Sequence, residues 1–159
     1  MLEIYGLIFS IIIGTVGHFL YEISNNNKII GYLFSTNEST WEHLKLGITP
    51  IIFWSLIEFI LNKNPNIFVN VCLKIIIFCS TLIILYYTYK HILKKNILFF
   101  DISIFYLSLA ISYLINNKFL SENNYSITIY IISFIFIAII QYAYLNYSKN
   151  PPNNFLFKT

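Results

Sequence analysis

Apolar residues run along this chain in blocks of about 20, and a helix of that length covers the roughly 30 Å of a bilayer's hydrocarbon core. The blocks stand at residues 2–23, 40–61, 67–89, 97–115 and 125–147. Polar breaks separate them: Ser24-Asn25-Asn26-Asn27, Asn62-Lys63-Asn64-Pro65-Asn66, Lys90 to Asn96, and Asn116 to Asn124. This pattern predicts an all-α polytopic membrane protein, a bundle of about five transmembrane helices forming a single domain over residues 1–148, with a tail over 149–159. Between the first two blocks, Ile29 to Phe34 is too short to span and amphipathic enough to lie at the interface.

Local residues refine that outline. Gly14 and Gly17 in the first block permit close approach of a neighbouring helix. Pro50 removes a backbone donor from the second and predicts a kink near Leu46 and Gly47. Ser39, followed three positions later by Glu42, spells a capping box and predicts a helix beginning at Thr40. Lys74 lies well inside the third block, where Glu58 of the second is its expected partner and a snorkelling stem the simplest accommodation. Tyr142, Tyr144 and Tyr147 close the fifth block as an interfacial aromatic belt would.

Composition supports the membrane reading. Hydrophobic residues make up 57% of the 159 and charged residues 11%, against about a quarter charged in soluble domains, and the mean hydropathy is +0.68. The 10 basic residues are all lysines, and the net charge is +3. They cluster at block ends rather than in a stripe, which argues against nucleic acid as a partner and for a topological role beside the lipid bilayer. Lys28, Lys45, Lys90, Lys94, Lys95, Lys149 and Lys158 fall on one side, Lys63 and Lys118 on the other. The positive-inside rule then puts the amino terminus outside and the carboxyl terminus in the cytoplasm of a bacterial cytoplasmic membrane. Cys72 and Cys79 sit seven apart on one helix, about 10 Å along its axis, too far to bridge; they read as small buried hydrophobes.

The same topology gathers polar residues at the cytoplasmic face. His18, Glu22, Glu38, Glu42, His43, Lys45 and Asp101 form a candidate ligand-binding cluster lining a cytoplasm-facing cavity. Ionisable groups inside spans are costly and usually mark a site or a partner. Three readings fit these residues. In the first they pair and cap one another without further function. In the second, His18, Glu22, Glu42 (or Glu38) and His43 hold a divalent metal, since imidazoles and carboxylates suit zinc or iron(II). In the third they line a proton or solute path that continues through Lys74 and Glu58. The expectation drawn from them is binding or transport of a small-molecule or lipid-headgroup ligand; a membrane-embedded metal-dependent enzyme is the alternative, and a structural or assembly partner the second. No catalytic residue, reaction or oligomeric state follows.

Gly17-His18-Phe19-Leu20-Tyr21-Glu22, then Asn37-Glu38-Ser39-Thr40-Trp41-Glu42-His43-Leu44-Lys45, Pro50, and a tail of Pro151-Pro152 and Phe155-Leu156-Phe157 make a recurrent combination. In these motifs the chain resembles a family of small bacterial multi-pass membrane proteins known only as a domain of unknown function. The likeness spans nearly the whole sequence, with Thr159 where that family's ending carries an acidic residue. It implies a multi-pass membrane protein of unassigned activity and transfers no site residue.

Overall fold

A computed structural model describes residues 2–119, 125–148 and 150–157, with only the backbone of residues 116–119. The side chain of Lys118, together with Lys149, Lys158 and Thr159, lies outside the described residues. The helices are α1 (Leu2–Ile23), α2 (Lys28–Leu33), α3 (Thr40–Asn62), α4 (Asn66–Leu93), α5 (Leu98–Phe119) and α6 (Ile127–Tyr147), followed by a 3-10 turn at Phe155–Phe157. No strand occurs among the described residues. Among the described residues, α1, α3, α4, α5 and α6 are the 5 helices long and apolar enough to cross a membrane. The protein is an all-α, multi-pass membrane protein.

Each break ends a helix by an identifiable device. Asn25 and Asn26 take positive φ of 54° and 59° after α1, a conformation asparagine tolerates better than most residues. The Asn27 side chain then accepts the Ile29 amide and caps α2. Lys63 and Lys94 end α3 and α4 in the left-handed region, each returning its amide to the carbonyl four residues back. Because α4 continues to Leu93, it runs past the boundary at 89 that hydropathy alone suggests.

The chain runs up and down, and contacts at the two ends fix its direction. At one end Tyr87 of α4 meets Thr40 at the start of α3, Tyr89 hydrogen-bonds Asp101 at the start of α5, and Ser148 after α6 reaches α3. At the other, Lys74 of α4 lies beside Glu3 of α1 and Glu58 of α3, and Tyr130 of α6 donates to Asn66 of α4. The first is called here the histidine end and the second the Lys74 end. α3 and α4 form the centre, with Ile48, Ile51, Ile75 and Phe78 almost fully buried.

Lipid solvates the outside and small residues build the inside. On α1, Ile4, Ile8, Ile12 and Val16 are exposed on one stripe, whereas Gly6, Ser10, Gly14 and Gly17 are buried on the opposite one. Without a hydrophobic drive between helices in lipid, tight backbone approach must supply the packing. A Cβ on Gly14 would stand 2.6 Å from the Leu46 carbonyl oxygen. That carbonyl is the one four residues before Pro50, which has no amide to give it. α3 continues as one element through Pro50, so the predicted kink does not interrupt it, and α1 closes over the vacated acceptor. Gly47 serves the other face, where a Cβ would stand 2.2 Å from the Phe78 ring.

Candidate functional site

The segment between α2 and α3 places the polar groups of the histidine end. Asn37 accepts the Ser39 amide at 2.9 Å, and Ser39 then caps α3 by accepting the Glu42 amide at 3.4 Å. This is half of the capping box. The reciprocal half fails, because the Glu42 carboxylate turns away from the cap and inward, leaving Glu42 only 2% exposed.

Glu42 becomes the centre of a buried network. Its Oε2 accepts from the Thr36 amide at 2.9 Å, the Thr36 hydroxyl at 3.0 Å and Lys45 Nζ at 2.7 Å, while Oε1 accepts from Ser148 at 3.0 Å. Lys45, 1% exposed, also donates to the Gly31 carbonyl at 2.9 Å. Thr49 donates to the Leu33 carbonyl at 2.6 Å. These carbonyls are among the last four of α2, which lack partners inside their own helix. Lys45 thus neutralises Glu42 and the carbonyl end of α2 together.

His18, Glu38 and His43 converge on the outer side of that turn. His18 Nε2 lies 3.6 Å from Glu38 Oε1, and His43 Nε2 lies 3.5 Å from Glu38 Oε2. The imidazole rings are 5.4 Å apart between centroids. One ligand atom from each residue falls within 4.8 Å of the others. His43 Nδ1 lies 3.0 Å from the Ser39 carbonyl, which can only accept. Nδ1 donates to that carbonyl, which leaves Nε2 as the ring nitrogen turned toward Glu38. The histidine side chains are about one-third exposed, 31% and 32%, and that of Glu38 is 72% exposed, so the cluster opens outward.

The candidate residues thus fall into separate places rather than lining one cavity. Glu22 is exposed and outside the cluster, because its position one turn nearer the end of α1 carries it past the α2–α3 segment. Glu42 and Lys45 are consumed by each other and by their neighbours. Asp101 accepts from Tyr89 between α4 and α5. Glu38, rather than Glu22 or Glu42, stands with both histidines.

At the Lys74 end, Lys74 is fully buried, 2.7 Å from Glu3 and 3.8 Å from Glu58, with its ammonium 4.5 Å from the centroid of the Tyr113 ring. Tyr113 hydrogen-bonds Ser10 at 2.8 Å. Glu3 is the member sequence spacing did not point to, since an acid in a helix's first turn looks ordinary. The up-down topology, which puts the start of α1 beside the end of α3, is the signal that would have found it.

A protein-family model matches residues 2–159, practically the whole chain. The chain belongs to DUF6512, a family of unknown function. No curated protein and no solved structure matches it. For this DUF6512 member the geometry above is therefore the ground on which function can be argued.

Proposed function

We propose that this DUF6512 protein binds a divalent transition metal ion, zinc or iron(II), through His18, Glu38 and His43 at one membrane surface, leaving a coordination position open to a small ligand. The observation that carries this reading is the spacing of the donors around Glu38. Ligands at 2.0–2.1 Å from a tetrahedral ion stand about 3.3–3.4 Å from one another. His18 Nε2 and His43 Nε2 lie 3.6 and 3.5 Å from different oxygens of Glu38, each close to that edge length, and one donor atom from each of the three residues falls within 4.8 Å of the others. Drawing all three donors onto one ion asks the remaining separations to close from at most 4.8 Å, and Glu38, with a side chain 72% exposed, has room to turn. The Ser39 carbonyl at His43 Nδ1 is the kind of contact that metal-bound histidines commonly make through their other ring nitrogen, fixing the tautomer and ring orientation.

Two imidazoles and a carboxylate suit zinc or iron(II) better than magnesium or calcium, which prefer all-oxygen sets. Three protein donors with an outward opening match sites that hold water or substrate in the remaining position. The ligand then comes from the aqueous phase or from headgroup level. Lys28, Lys90, Lys94 and Lys95 at this end, against Lys63 at the other, support a cytoplasmic location for the site.

Metal analysis of protein purified without a histidine tag should find near-stoichiometric zinc or iron. Glu38→Ala and His43→Ala should each lose it while remaining folded. Protein that carries no metal and takes up neither zinc nor cobalt at neutral pH removes the proposal.

A further inference from the structure

We propose that Glu42 is the positioning residue of this site, holding Glu38 and His43 in register, and that the chain after α6 completes the hold through Ser148. The inference rests on the metal reading above and adds what organises the ligands.

Glu38 sits on the non-helical segment between α2 and α3 and is largely exposed, so its own contacts do not fix it. Two residues earlier, Thr36 gives both its amide and its hydroxyl to Glu42 Oε2. That pair clamps the segment against α3 immediately before Glu38. Glu42 is also the residue next to His43, so the clamp joins the backbone carrying one ligand to the backbone carrying another. Lys45 adds a third tie, from Glu42 through its ammonium to the Gly31 carbonyl of α2.

The remaining oxygen of Glu42 is taken by Ser148, 106 residues away in sequence. The chain beyond folds back over the same turn. Phe157 lies 4.9 Å from the Trp41 ring, Trp41 lies 4.7 Å from Tyr144, and Tyr87 donates to the Phe155 carbonyl at 3.2 Å. The first turn of α3 is thus held by the segment bearing Glu38 and by the C-terminal segment, and each hold includes a hydrogen bond that ends on the Glu42 carboxylate. Outer-shell partners of this kind typically contribute about 10–100-fold to metal affinity.

Cobalt(II) titration of the full-length protein in detergent, read by its visible absorption, tests the idea alongside thermal unfolding. Thr36→Val and Ser148→Ala each remove one hydroxyl hydrogen bond to the Glu42 carboxylate and leave the Glu42–Lys45 pair in place. Both should lower the melting temperature modestly while the protein still folds cooperatively, weaken cobalt binding about tenfold or more, and alter the ligand-field spectrum, which a purely structural role would leave unchanged. Glu42→Gln should weaken it further. If Glu42→Gln does not fold, the two milder variants decide. Cobalt affinity and spectrum unchanged in both would overturn the positioning role while leaving the metal site standing. If the unaltered protein binds no cobalt, the metal reading itself fails and this inference falls with it.

Discussion

Two carboxylates four residues apart, Glu38 and Glu42, meet basic partners in opposite ways. Glu42 is sealed in, 2.7 Å from Lys45, and its other hydrogen bonds come from Thr36 and Ser148. Glu38 stands in the open at 3.5 and 3.6 Å from imidazoles that are themselves partly exposed. A buried ion pair survives desolvation only when every lone pair and proton is answered, and the Glu42–Lys45 network meets that condition. The Glu38 cluster has spare coordination, loose spacing and access. The contrast separates two roles: the buried pair holds the turn together, and the exposed carboxylate beside it is the one the proposed metal site would use.

The contrast breaks first at Lys45. Lys45→Met should destabilise the protein by about 3–5 kcal/mol, because it strands a carboxylate in a place built for an ion pair; thermal unfolding in detergent measures it. If that variant melts like the unaltered protein, Glu42 is not the structural member of the two. Gly47→Ala comes next. Its new methyl would press on Phe78, which is fully buried and has nowhere to move, so overpacking of about 1–3 kcal/mol is expected. That loss should appear without change in metal content, since the contact lies on the α4 side of α3.

How much of this the chain announces depends on the range of the interaction. The helices follow from apolar blocks and from Asn- and Lys-rich breaks, which are local signals. Ser39 as the cap is also local, and so is the inward pull on His18. The direction of the Glu42 carboxylate is not local. A glutamate in that position reaches its own cap or a tertiary partner with equal ease, and Thr36 and Ser148 win only once α2 and the C-terminal segment are docked. Glu22 shares a helical face with His18, yet the nearer acid in space is Glu38, because the α2–α3 segment folds back over α1. At the other end, Lys74 looks in sequence like a snorkelling side chain. Once Glu3 and Glu58 flank it, the stem has no need to reach the surface.

Smaller perturbations sharpen the same contrast. Ser39→Ala removes a cap and should cost about 1 kcal/mol, within the 0.5–2 range of such caps. It leaves the carbonyl that orients His43 in place, so a melting shift without loss of metal separates the hydroxyl from the backbone of the same residue. The least stability change belongs to Glu38→Ala, within about 0.5 kcal/mol as for an exposed side chain, yet it should abolish metal uptake. Calorimetric titration of cobalt(II) into the unaltered protein and into Glu38→Ala reads that loss. A binding curve that survives Glu38→Ala would return Glu38 to the same standing as any solvated carboxylate and leave Glu42 as the acid that organises this turn.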